Sequence, residues 1–124
     1  MDRKVRELLE RKIWNVATHG IRLCVVPIGL KTVLSDGRMV IADVFMELTR
    51  ENIRTNGEVA VSVYDAKTLE AYQIWGHAAY ETEGDAFDEM VRISDGREPV
   101  KGVITIMPER IIDSSPGNDN GKDI

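Results

Sequence analysis

Hydrophobic residues recur along most of the chain with the two-residue period of half-buried strands. The clearest segment is 58–64, in which three valines alternate with other residues so that one face is apolar. Glycines at turn positions, such as Gly20 and the Asp36-Gly37 pair, separate neighbouring segments. Strands are therefore predicted over 14–18, 21–28, 31–34, 39–42, 58–64, 70–83 (one long strand or a bent pair) and 100–107.

Three short segments have helical spacing instead, and they are predicted at the opening residues, over 47–56 and over 85–94. Asp2 can cap the first helix, and Asn56-Gly57 supplies a left-handed stop for the second. Pro108 is expected to end the last strand. Residues 113–124 contain almost nothing apolar, so a disordered tail is expected after a single domain over residues 1–112.

The pattern predicts a mainly β fold with short helices, because six or seven strands follow one another through hairpins and do not alternate regularly with helices. A small antiparallel barrel is expected, since closure removes exposed strand edges. The chain has 124 residues, 43% hydrophobic and 30% charged, which excludes both a multidomain enzyme and a disordered chain.

The formal net charge is −5 and the basic residues are scattered, so no nucleic-acid partner is expected. No apolar run approaches the length of a membrane span, and no signal peptide is recognisable, so we expect a cytoplasmic protein without membrane contact. Cys24 is the single cysteine and only two histidines are present, so no metal site is expected. No catalytic motif is present, and no catalytic residue is proposed.

Four segments in this order resemble the FMN-binding split-barrel family related to pyridoxamine 5′-phosphate oxidase, especially its small single-domain members. The resemblance covers Ile13 to Met107 and rests on a distributed pattern. It implies a six- or seven-stranded antiparallel split β-barrel of Greek-key type, FMN as cofactor, and a homodimer with two equivalent sites at the subunit interface. The segments are Val25 to Gly29, Val40 to Asn56, Val59 to Val63 and Gln73 to Ala78.

In that family the flavin phosphate lies where the fourth strand meets the next helix. Helix-initial amides carry partial positive charge and bind phosphate, which favours the same junction independently. Thr49 adds a hydroxyl, although it could be a helix cap and nothing more; Asn52 could hold the loop or reach the ribityl chain. The candidate phosphate-side residues are Ala42, Asp43, Met46, Leu48, Thr49, Arg50 and Asn52.

Leu48 stands where many relatives have a lysine. A dianionic phosphate on an acidic protein needs a local cation, and that task would pass to Arg50, Arg54 or Lys31. Otherwise FMN binding would be weak.

The resemblance implies that the flavin ring lies along the second strand, against Val25, Val26 and Pro27, which meet the need of a tricyclic ring for flat apolar walls. A buried strand would explain the same residues. A barrel of this size fills its interior with side chains, so the ring must lie on the outer wall and something must cover it. The resemblance implies that the partner subunit does so. Gln73, Trp75 and the region around Tyr72 are the candidates for that cover, and core packing is the alternative for Trp75.

The leading hypothesis is an FMN-dependent oxidoreductase or electron carrier that exchanges electrons with a small-molecule redox partner. A flavin-binding module without turnover is the second hypothesis. A cofactor-free dimeric interaction module is the third.

Overall fold

The computed structural model describes all residues 1–124 and contains seven strands and three short helices. The elements are α1 (Arg3–Arg11), β1 (Trp14–Thr18), β2 (Cys24–Ile28), β3 (Lys31–Val33), β4 (Met39–Asp43), α2 (Glu47–Asn56), β5 (Glu58–Tyr64), β6 (Ala71–Glu81), α3 (Asp85–Ser94) and β7 (Gly102–Asp113).

All seven strands form one antiparallel sheet in the order β2-β1-β5-β6-β7-β4-β3, curled into a half-barrel. The predicted mainly β, split-barrel fold class is confirmed. The two edge strands, β2 and β3, are joined by a short link through Gly29 and Leu30, and the barrel stays open beside β2. None of the three helices is long and apolar enough to cross a membrane.

Two apolar clusters hold the sheet in shape. The larger lies inside the curl, where α1 buries Val5, Leu8 and Leu9 against the strands. Trp14 is fully buried there, and its indole Nε1 donates a 2.8 Å hydrogen bond to the Leu9 carbonyl. The smaller cluster lies between α3 and strands β4 and β7. Since β4 has cluster residues on both faces, all five of its residues are buried, which fixes its end at the junction with α2.

The predicted end of the last strand at Pro108 is wrong, because β7 continues to Asp113. A β-bulge between Trp75 and Gly76 leaves Glu109 as an extra residue and places Pro108 opposite Gly76. Bulges and edges are the places where a sheet tolerates a residue without an amide hydrogen. The strand therefore passes through the proline and pairs along the whole length of β6.

Gly76→Ala is expected to destabilise the fold by about 1–3 kcal/mol, the usual effect of overpacking. A Cβ at this position would lie 2.5 Å from the Met107 carbonyl oxygen, which belongs to the facing backbone. Gly29→Ala is the matched control, because a Cβ added there would meet nothing within 4 Å. Urea unfolding measures both free energies, and equal values for the two variants would contradict a tight bulge.

The segment after Asp113 folds back along β7, whereas the sequence predicts a disordered tail there. The Ile124 amide donates to the Ile111 carbonyl at 2.9 Å, and the Asp113 amide to the Lys122 carbonyl at 2.9 Å. Strand β4 pairs with β7 only as far as Ile106, so the far half of that β7 edge has free backbone groups. Backbone pairing needs no apolar side chains, which is why composition does not reveal it.

Candidate functional site

Two adjoining cavities lie at the opening of the barrel, where the end of β2 faces the junction between β4 and α2. The first has a volume of about 300 Å³ and is walled by Val26, Pro27, Leu30 and Ala42. The second has a volume of about 420 Å³ and contains charged side chains. Both cavities include Phe45 and Met46, so they form one continuous surface, here called the split groove.

Half of the predicted cofactor-binding residues line the split groove: Val26, Pro27, Ala42, Asp43, Met46 and Arg50. The remaining six lie elsewhere: Val25, Leu48, Thr49, Asn52, Gln73 and Trp75. Successive residues of a strand point to opposite sides, so Val25 is exposed while Val26 is partly buried against the core. Pro27 is exposed like Val25, but it lies near the end of β2 and lines the groove.

Asp43 forms the polar end of the groove. It is the last residue of β4, it is 1% exposed, and its backbone carbonyl accepts from the Lys101 amide at 3.1 Å. The Tyr80 hydroxyl, from β6, donates a 2.6 Å hydrogen bond to Asp43 Oδ2. Burial, together with this bond to the carboxylate, raises the pKa of the Tyr80 phenol. Tyr80 therefore remains a proton donor at neutral pH.

Arg50 carries the one buried cationic nitrogen without a hydrogen-bond partner. Its Nε is buried and bonded to nothing, although it lies 3.5 Å from Glu51 Oε1, and its side chain is 22% exposed. Leaving a buried N–H unpaired costs about 1–3 kcal/mol. A guanidinium in this state is suited to an oxyanion, which accepts from its fork of N–H groups.

The other predicted cations do not line the groove. Lys31 Nζ donates to the Leu9 carbonyl at 3.0 Å and lies 5.3 Å from the Trp14 ring centroid. Arg54 lies over the Tyr80 ring, with Cζ 4.9 Å from its centroid. Lys101, which sequence reasoning missed, lines the groove beside Arg50. It lies immediately before β7, far from Arg50 in sequence, and only the pairing of β7 with β4 brings the two together.

Helix α2 begins at Glu47, and its N-cap residue is Met46, which makes no side-chain capping bond. The alternative in which Thr49 is only a helix cap is therefore wrong, because Thr49 is the third residue of the helix. Its hydroxyl is buried and lies 3.6 Å from Cys24 Sγ, toward β2. The first amides of α2 thus lack a side-chain cap, but the Thr49 hydroxyl points away from the charged end of the groove.

Asn52 holds the connection between β1 and β2. Its Oδ1 accepts from the Ile21 amide at 2.9 Å and the Arg22 amide at 3.4 Å, while Nδ2 donates to Thr18 Oγ1 and the Arg22 carbonyl. Of the two roles predicted for Asn52, the structure shows that it holds the loop. Every donor and acceptor of this fully buried amide is engaged within the protein. The tight turn predicted at Gly20 is wrong, because residues 19–23 wrap around Asn52.

Gln73 and Trp75 lie on the outer face of the sheet. Strand register places Val25, Ala17, Ala60, Trp75 and Arg110 side by side across five strands. Trp75 is 41% exposed, which excludes core packing within the chain; its Nε1 donates to Gln73 Oε1 at 3.2 Å. The alanines leave a depression of about 570 Å³ between Trp75 and the loop before β2, here called the outer groove.

No cluster of three or more histidine, cysteine, aspartate or glutamate side chains is placed to hold a metal ion. The split groove has an apolar wall at one end, and at the other the cations Arg50 and Lys101 lie beside the carboxylates Asp43 and Glu47.

Comparison with known proteins shows similarity at the level of structure. No protein-family model matches the chain, and no curated protein matches it. The HupZ protein from Group A Streptococcus is 25% identical, with 98% of this chain and 99% of that chain covered and a TM-score of 0.87. An FMN-binding protein from Syntrophomonas wolfei is 17% identical, with 93% and 86% covered and a TM-score of 0.80.

A candidate pyridoxamine 5′-phosphate oxidase from Lactobacillus delbrueckii is 18% identical, with 90% of this chain and 93% of that chain covered and a TM-score of 0.76. These structures confirm the resemblance to the split-barrel proteins related to pyridoxamine 5′-phosphate oxidase. The likeness extends over nearly the whole chain.

Proposed function

We propose that this split-barrel protein binds FMN in the split groove, with the phosphate beside Arg50 and the ring against Val26 and Pro27. The observation that carries the proposal is the buried, unpartnered Arg50 Nε at the charged end of a groove whose other end is apolar. An S. wolfei protein of the same fold binds FMN, which supports a flavin as the ligand.

The residues present fit the two halves of FMN. Val26, Pro27 and Met46 supply the apolar wall that an isoalloxazine ring needs, and Phe45 stands exposed at the point where the two cavities meet. Arg50 and Lys101 supply the positive charge that the family lysine would give, since Leu48 cannot. Arg50 presents a planar fork of donors, which matches phosphate oxygens better than a single ammonium does.

When bound, FMN supplies hydride or electron transfer, so we propose an oxidoreductase or electron carrier with a small-molecule redox partner. The chain's own contribution is to bind and orient the ring and to hold the phosphate. Anaerobic reduction of the flavin-loaded protein by NADH or NADPH tests the redox part: reduction supports an oxidoreductase, and its absence favours a flavin-binding module without turnover.

We also propose that the protein is a homodimer that buries the outer groove. Leu23 is 89% exposed and lines the outer groove with Trp75, and the exposed Val25 pairs with Ala17 of the alanine floor. Contiguous exposed apolar residues mark interaction surfaces, and aromatic residues are enriched in them. Gln73 and Trp75 would then act across the interface and not within their own chain.

Trp75→Ala is expected to weaken dimerisation and FMN binding together, because Trp75 lies on the proposed interface and the family resemblance implies that the partner subunit covers the flavin. Tyr64→Ala is the matched control, since Tyr64 is an exposed aromatic outside the outer groove. Sedimentation equilibrium gives the dimer constant, and quenching of flavin fluorescence gives the FMN affinity. Loss of one without the other would argue against a shared site.

The proposal as a whole is tested by titrating the wild-type protein with FMN and with riboflavin, which lacks the phosphate. Saturable binding with a clear preference for FMN supports a phosphate site. Equal binding of the two flavins would remove the role assigned to Arg50, and no binding of either would overturn the flavin proposal.

A further inference from the structure

Two donors approach the same oxygen of the buried Asp43 carboxylate. The Tyr80 hydroxyl lies 2.6 Å from Oδ2, a short hydrogen bond, whereas Arg50 Nη1 lies 3.5 Å from it. Charge-assisted bonds between guanidinium and carboxylate are normally about 2.7–2.9 Å long. Asp43 is therefore hydrogen-bonded to the neutral phenol and only loosely paired with the nearby cation.

The fit against Gly102 sets the position of the phenol hydroxyl, whereas Arg54 contacts only the face of the ring. Gly102 leaves room for it, because a Cβ there would lie 2.5 Å from the Tyr80 hydroxyl oxygen. Arg54 covers the ring, with Cζ 4.9 Å from the centroid. Since burial raises the pKa of Tyr80, the hydroxyl remains available as a donor at neutral pH.

We propose that Tyr80 is a positioning residue: by occupying Asp43 Oδ2, it prevents the carboxylate from drawing in Arg50 and so leaves the Arg50 Nε available to a phosphate, while the phenol oxygen itself stays close to the guanidinium. Without the phenol, a carboxylate that is 1% exposed would take the nearest donor, because a buried charge without a hydrogen bond is costly. That donor is Arg50. The inference rests on the proposed function, and it makes Tyr80 the residue that determines preference for phosphorylated over unphosphorylated flavin.

The positioning step is tested first on the ligand-free protein, independently of any flavin. Tyr80→Phe keeps the ring and its contact with Arg54 and removes only the hydroxyl. A crystal structure of this variant should show Arg50 moved onto Asp43, at about the 2.8 Å of a charge-assisted bond. Arg50 remaining at its wild-type distance from Oδ2 would overturn the inference.

The consequence for binding is tested with FMN and riboflavin, followed by flavin fluorescence. Tyr80→Phe should weaken FMN by about tenfold, near the lower end of what a hydrogen bond to a charged group contributes, and leave riboflavin unchanged. The double variant Tyr80→Phe with Asp43→Asn should recover most of the lost FMN affinity, since a neutral amide attracts Arg50 less. Equal weakening of both flavins, or no recovery, would show that Tyr80 acts only through the fold.

Gly102→Ala provides a second route if Tyr80→Phe proves unstable, because the added methyl displaces the phenol while keeping the hydroxyl. It should lower FMN affinity without affecting riboflavin, and an unchanged preference for FMN in this variant would contradict the inference. Failure of wild-type protein to bind either flavin would instead overturn the proposed function, while the structure of ligand-free Tyr80→Phe would still decide the positioning step.

Discussion

Arg50→Ala is expected to weaken FMN binding by about 1.5–3 kcal/mol, the usual contribution of hydrogen bonds to a charged group, and to leave riboflavin binding unchanged. The reason is that Arg50 Nε is the buried donor without a partner in the split groove. Isothermal titration with the two flavins measures both affinities. The effect should exceed that of any other single charge removal on α2, because no other cation of that helix lines the groove.

Arg54→Ala is the matched control for Arg50→Ala. It removes the same charge from the same helix, yet Arg54 lies over the Tyr80 ring and outside the groove. A general electrostatic effect would weaken FMN similarly in both variants, and that result would contradict a specific phosphate contact at Arg50. A loss confined to Arg50→Ala supports it.

Asn52→Ala is expected to lower the free energy of unfolding by about 2–4 kcal/mol, because it removes four hydrogen bonds, one to the buried Thr18 hydroxyl and three to partly buried backbone groups of Ile21 and Arg22. The loop over residues 19–23 and the start of β2 depend on these bonds. Urea denaturation followed by tryptophan fluorescence measures the change. The variant should also reduce flavin binding, since β2 carries Val26 and Pro27.

Asn56→Ala, on the same helix, serves as the control for Asn52→Ala. Its amide donates to the His19 carbonyl at 2.9 Å and its Oδ1 accepts from the Glu58 amide, both at the surface. Water replaces surface partners, so the cost should be smaller, about 1 kcal/mol. If Asn52→Ala kept full stability and lost only flavin affinity, the residue would be a ligand contact and not a loop holder.

Elements determined by local chemistry could be predicted from the sequence. Strand β5 has the alternation of a half-buried strand, and it extends over Glu58–Tyr64 as predicted. Helix α2 ends where the Asn56-Gly57 pair indicates, and Gly57 adopts a φ of 74°. Both predictions concern the chain's own spacing and backbone preferences, which need no knowledge of distant neighbours.

Features determined by distant partners could not be predicted in this way. Pro108 was expected to end a strand, but whether a proline is tolerated depends on the bulge opposite Gly76, which belongs to another strand. The residues after Asp113 pair with a free backbone edge that exists only because β4 is shorter than β7. Both features depend on contacts between segments far apart in the sequence, which composition does not describe.

In the candidate site, too, residues close together in the sequence could be predicted and residues brought in by distant strands could not. Asp43, Met46 and Arg50 lie near one another in sequence, and the strand-to-helix junction was predicted to hold them together; the structure places all three in the split groove. Tyr80 and Lys101 were missed because β6 and the loop before β7 reach Asp43 only through the sheet order. The Thr49 hydroxyl is predicted to contact the phosphate, but the direction of a helical side chain depends on the residue at which the helix begins. Because α2 begins at Glu47, this hydroxyl lies beside Cys24 Sγ.

The most direct test of a phosphorylated flavin in the split groove is a crystal structure of the protein grown with FMN. We predict that the phosphate lies within hydrogen-bond distance of Arg50 and that the ring lies against Val26 and Pro27. FMN found only in the outer groove beside Trp75, or protein crystals without FMN at saturating concentration, would contradict this placement.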